Sequence, residues 1–119
     1  MSRAVFTKQQ KLNQPSEFKR VFSKPVVSSD DCFRVLARAG QGKASRLGMA
    51  VSRQVYRKAV VRNRIKRVIR ESFRQQFSGN DKRLDIIVLP RRESATICNI
   101  ELFRSLQGHW SRLESRFEV

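Results

Sequence analysis

"RLGMAVSRQVYRKAVVRNRIKRVIRESF", residues 46–73, changes its periodicity halfway along. Over residues 46–53, Leu47, Met49 and Val51 alternate with the small Gly48, Ala50 and Ser52, the period of a strand. From about Tyr56 to Phe77 the period becomes helical. Val61, Ile65, Val68, Ile69 and Phe73 form one apolar stripe, and Asn63, Lys66, Arg67, Arg70 and Arg74 gather on the far side. Residues 58–74 alone hold seven Lys or Arg and one acid, Glu71. Arg62 with Lys66, Lys66 with Arg70, and Arg70 with Arg74 are like-charged pairs four apart, each destabilising an isolated helix by roughly 0.2–0.5 kcal/mol. Packing of the stripe and an external anion are the two ways to offset that.

Outward from this segment, "CFRVLARA" (32–39) alternates Phe33, Val35 and Ala37 with Arg34, Leu36 and Arg38. It is predicted to pair with 46–53 as an antiparallel hairpin across the turn "GQGKAS". "PSEFKRVFSKP" (15–25) predicts a short helix, with Pro15 at its first position and Glu17 in its first turn. Gly79 in "SGND" stops the basic helix. "LDIIVLP" (84–90) is apolar throughout, as a central strand is. Leu102, Phe103, Leu106, Trp110, Leu113 and Phe117 have amphipathic spacing in a final helix. The order αββαβα predicts an α+β, two-layer sandwich. Residues 1–14 read as a loosely ordered basic arm, and residues 15–119 as a single domain.

At 119 residues and 39% hydrophobic content the chain suits one modest core. Its net charge of +16 is uneven: residues 1–78 hold 19 bases and 4 acids, residues 79–119 hold 7 and 6. A polyanion is the partner this field selects. The N-terminus lacks a signal-peptide core, no run is long and apolar enough to span a bilayer, and a membrane partner is not expected. Cys32 and Cys98 have no CxxC spacing and only His109 to join them, so a zinc site is not expected, and free thiols suit a reducing, cytoplasmic compartment.

The basic face is dominated by guanidinium groups, which favours forked phosphate contacts. Phe18 and Phe22, four apart in the first helix, suit either core packing or stacking on unpaired bases, and the neighbouring Lys19 and Arg20 leave both open. No catalytic set stands out. Asp30 and Asp31 are adjacent where alternate side chains diverge and read as loop residues, and a lone His109 makes no acid–base pair. Asp85 is an acid that can help hold a metal, with nothing to require it.

Residues 46–73 closely resemble the protein component of bacterial ribonuclease P, marked by a GLxVS strand followed by a helix containing RNRxKR. "PSEFKRVF" and "DIIVLPRR" extend the resemblance over most of the chain. It implies a small basic subunit of a ribonucleoprotein that removes the 5′ leader of precursor tRNA. The RNA subunit is then the catalyst and binds the essential Mg²⁺, with no cofactor required by the protein and one protein per RNA. It also implies an unusual left-handed βαβ crossover over residues 46–89, against the general right-handed preference. By position, Arg62, Asn63 and Arg64 match the RNR motif. Arg53, Arg57, Lys58, Lys66, Arg67, Arg70 and Arg74 extend the surface facing the catalytic RNA. Phe18, Phe22, Arg34 and Leu36 are implied to meet the leader. Leu36 stands where some members have a tyrosine, leaving apolar contact only. Arg53 keeps a charge where a Lys pair is common, and Gln54 does not. Arg64→Ala is expected to weaken RNA assembly more than folding, the face being exposed.

Two rivals use the same charge. A ribosomal or RNA-chaperone protein would bind many RNAs comparably and leave leader cleavage unaffected. A DNA-binding module would use residues 57–76 as a recognition helix, but neither a dimer seam nor helix-turn-helix spacing is visible.

Overall fold

A computed structural model describes residues 11–12, 14–40, 44–53, 56–77 and 83–117. Most of the expected arm, the 41–43 turn, Gln54 and Gly79 lie outside the described residues. The elements are α1 (Pro15–Ser23), β1 (Val26–Ser29), β2 (Phe33–Ala39), β3 (Arg46–Met49), α2 (Ala59–Phe77), β4 (Leu84–Pro90) and α3 (Asn99–Arg116), with a 3₁₀ turn at Arg92–Thr96. The chain is α+β, as the periodicities predict.

The sheet order is β1-β2-β4-β3, and this corrects the expected hairpin. β4 lies between β2 and β3, antiparallel to the first and parallel to the second. The reason lies in β4 itself. Every residue of it except the half-buried Leu89 is buried, so it needs a neighbour on each edge and cover on each face. β3–α2–β4 is therefore a βαβ unit, and β2 must pair elsewhere. Its outer neighbour is β1, a four-residue strand that the alternation in "VVSS" was too short to reveal.

Phe33, Val35, Ala37, Ile86 and Val88 project to one face, where they meet Ile65, Ile69 and Phe73 of α2 and Leu102, Leu106 and Trp110 of α3. These two helices and the sheet make the two main layers. Phe73, Phe77 and Trp110 form an aromatic cluster with centroids 4.9–6.3 Å apart, Trp110 meeting each phenyl ring edge to face. The Trp110 indole N–H donates to Ser72 Oγ at 2.8 Å, so the ring is buried without an orphaned donor. On the opposite face Leu36 and Ile87 meet Val21 of α1 and Leu12. Leu12 is held from inside the expected arm, its N–H donating to the Leu47 carbonyl at 2.9 Å.

α1 is fastened by charge. The cross-strand row Arg38, Asp85, Arg46 lies on its face of the sheet. Asp85, 0% exposed, accepts two bonds from Arg46 at 2.9 and 2.7 Å and another from Arg20 of α1. Arg38 donates to the Arg20 carbonyl at 2.9 Å. Hydrogen bonding to Asp85 raises the Arg46 pKa.

His109 is also structural. Fully buried in α3, it takes a hydrogen bond at Nδ1 from Ser28 Oγ at 2.6 Å, while Ser28 Oγ accepts from Arg112 Nε at 2.8 Å. Its Nε2 stands 3.1 Å from Asp30 Oδ2. Burial depresses the His109 pKa, against the pull of Asp30, with Arg112 depressing it further. The folded chain thus holds fewer protons here than the unfolded chain. Stability is complete above the unfolded histidine pKa, about 6.5, and is lost as pH falls below it. Thermal melts between pH 7.5 and 5.5 will show that fall, and His109→Gln will flatten it. Asp30 adds a lower window. Burial raises its pKa, but bonds from Ser105 and from the Phe33 and Cys32 N–H groups outweigh that and bring it to about 2. That contribution disappears only as pH falls through about 2.

Candidate nucleic-acid interface

α2 forms because its stripe has a core to enter. Ile65, Val68, Ile69 and Phe73 are buried and Val61 packs against them. At about 100° per residue, this fixes where the cations point. Asn63, Arg67 and Arg70 are exposed. Lys66 is half-buried, and Arg74 is paired with Glu71. Among the described residues, the charged ends of Lys66, Arg67 and Arg70 have no partner within the chain. They are the part of the predicted face that is open to an outside anion.

Arg62 and Arg64 depart from the expectation of a free face. Arg62 folds back over the start of α2 and donates to the Tyr56 and Arg57 carbonyls at 2.8 and 3.0 Å. Arg64 reaches toward α3 and donates to the Ala95 and Ile97 carbonyls and to Asn99 Oδ1, at 3.0, 3.2 and 2.7 Å. A face assigned by helical period cannot register this, because a long arginine lying at the margin of the face can reach over a neighbouring element. Arg64→Ala will therefore lower stability by roughly 1–3 kcal/mol through orphaned acceptors, measurable by denaturant unfolding. RNA affinity will fall with it, contrary to the selective effect expected from the sequence. Arg53, Arg57 and Lys58 are exposed before and at the entry to α2.

The aromatic pair separates. Phe22 is 47% exposed, whereas Phe18 lies half-buried against β3. Gly48 makes this approach possible: a Cβ there would stand 2.6 Å from Phe18 Cζ and 3.1 Å from the Leu12 carbonyl. Phe18 and Gly48 line a cleft of about 310 Å³ whose other walls include Lys11, Met49 and Arg70. Arg34 is exposed on the same face of the sheet as Phe18. Leu36 is 1% exposed beneath α1, so it supports the platform and offers no contact surface, which corrects the contact role implied for it. Lys11, Gly48 and Met49 were not legible as site residues, because only the docking of residues 11–12 on β3 brings them beside Phe18.

The arrangement offers phosphate-binding cations on one wall and an aromatic ring on the other, the two requirements of single-stranded nucleic-acid binding. Among the described residues, no three His, Cys, Asp or Glu side chains cluster. Asp85 spends both oxygens on guanidinium groups, and Asp30 is engaged by backbone N–H groups and Ser105. No helix among the described residues is long and apolar enough to cross a membrane.

Comparison with known proteins finds related sequences and related folds. The family model described as ribonuclease P matches residues 6–114. The ribonuclease P protein component of Methylococcus capsulatus is 40% identical over 111 residues, 93% of this chain and 86% of that protein. The structure of a Staphylococcus aureus ribonuclease P protein mutant with defective mRNA degradation activity superimposes with a TM-score of 0.83 at 27% identity, covering 90% of each chain. The Thermotoga maritima ribonuclease P protein gives 0.73 at 30% identity, covering 92% of this chain and 98% of its own.

Proposed function

Since this chain belongs to the ribonuclease P protein family, we propose that it binds a catalytic RNA through α2 and the 5′ leader of precursor tRNA through the cleft beside it. In this reading the RNA subunit cleaves the leader and holds the Mg²⁺ ions, and one protein copy raises affinity for substrate and metal. The observation that carries it is the shared cleft. Arg70 continues the Lys66 and Arg67 surface and also lines the cleft with Phe18, so phosphate contacts on α2 and base stacking in the cleft adjoin at one residue.

The test is cleavage of precursor tRNA at low millimolar Mg²⁺ by protein alone, RNA alone and both. Activity confined to the mixture is expected. No gain on mixing favours a general RNA-binding role, and cleavage by protein alone overturns the division of labour. Phe18→Ala will weaken binding of leader-bearing substrate by roughly 1–3 kcal/mol and leave mature tRNA unaffected, as equilibrium titration of the assembled particle will show. An equal loss for both RNAs would remove Phe18 from the leader site.

A further inference from the structure

The sheet order leaves β1 as a free edge, three strand spacings or ~14 Å from β3 and the cleft. Two arginines grip adjacent residues of this edge strand. Arg91, just beyond β4, donates to Ser29 Oγ at 2.7 Å, and Arg112 of α3 donates to Ser28 Oγ at 2.8 Å. Because successive strand residues face opposite ways, the guanidinium groups arrive from the two sides of the sheet. Between β1 and the C-terminal turns of α3 runs a groove of about 590 Å³. Its polar wall is Ser28, Ser29, Ser111, Arg112, Ser115 and Arg116, and no carboxylate of the described residues lines it. Arg116 has no partner among the described residues. Arg91 commits one of its five guanidinium N–H donors to Ser29.

The edge is continuous with the cleft. By register, Val27, Ser29, Arg34 and Leu89 share the sheet face that carries α1. Beyond α1 this face stays open, with Val27 43% and Phe22 47% exposed. Apolar surface interleaved with guanidinium groups therefore runs from Phe18 past Phe22 and Arg34 to the β1 edge.

Resting on the leader reading above, we infer that the β1 edge and its groove against α3 form a second phosphate-binding surface, over which the 5′-distal nucleotides of the leader pass. Hydroxyls and guanidinium groups without carboxylates suit phosphodiester oxygens. Affinity then depends on leader length beyond the nucleotides that fill the cleft.

The test is an Arg91→Gln/Arg116→Gln double variant assembled with the catalytic RNA. Binding is measured to mature tRNA and to precursors with leaders of about two and about ten nucleotides. Expected is a loss of about three- to tenfold for the long leader alone, with the salt dependence of its binding reduced by about one to two in slope. Equal losses at every length, or no loss, overturn the inference. Phe18→Ala is run beside it. Leader-selective loss in that variant without any in the double variant overturns the β1 edge alone, whereas no leader selectivity in either overturns the leader reading itself. Arg116→Gln, which breaks no contact among the described residues, is measured separately so that a folding defect from Arg91→Gln is recognised.

Discussion

Replacing Asp85 with asparagine will destabilise the protein by roughly 3 kcal/mol, measured as a fall in denaturant midpoint at unchanged slope. The carboxylate is fully buried and holds Arg20 and Arg46, whose side chains are 21% and 16% exposed. Removing its charge leaves two cations facing each other in a poorly solvated row. Their partial exposure lets water screen some of that repulsion, which places the effect at the low end of the range for broken buried pairs. The amide keeps the shape but turns two donors toward donors. Because Arg20 is one fastening of α1, beside the Glu17–Arg46 pair, the variant will also loosen Phe18 over Gly48, and affinity for leader-bearing RNA will fall with stability. A variant as stable as the parent would mean that α1 is held by Val21 and Leu12 packing, the Arg38 bond to the Arg20 carbonyl and the Glu17–Arg46 pair without help from Asp85.

Replacing Lys66, Arg67 and Arg70 together by glutamine will act in the opposite sense on the two quantities. The charged ends of these side chains have no hydrogen-bond or ion-pair partner among the described residues, and their removal relieves the like-charged pairs Arg62/Lys66, Lys66/Arg70 and Arg70/Arg74. Stability will rise by up to roughly 1 kcal/mol. Affinity for the catalytic RNA will fall on the order of 100-fold at physiological salt, and the slope of log affinity against log salt will shrink by roughly two to three. Thermal melts and binding titrations over a salt series separate the two effects. Loss of both stability and affinity would place these residues with Arg62 and Arg64 as structural ties.

The contrast between this triplet and the pair Arg62 and Arg64 explains how far the sequence could be read. Helical period places Lys66, Arg67 and Arg70 outward because it places Ile65, Ile69 and Phe73 inward, and one observation entails the other. It treats Arg62 and Arg64 alike with them. Their carbonyl partners come from the segment entering α2 and from residues 94–99, whose positions depend on how the chain returns after β4. Phe18 and Phe22 were equally ambiguous, since spacing puts both on one face. The position of α1 on the sheet then buries Val21, half-covers Phe18 and leaves Phe22 in solvent.

Composition and periodicity alone determined that this chain folds as α+β, where α2, α3 and β4 run, and that its charge selects a polyanionic partner. These follow from local quantities: the alternation of side chains along a few turns or strand steps, and the sum of charges. The tertiary structure alone decided that β4 separates β2 from β3, that β1 exists as an edge, that Asp85 is spent on fastening α1, and which arginines remain open. Pairing partners in a sheet and acceptors for a long side chain are set by residues tens of positions apart, and no local pattern encodes which of several compatible neighbours will arrive.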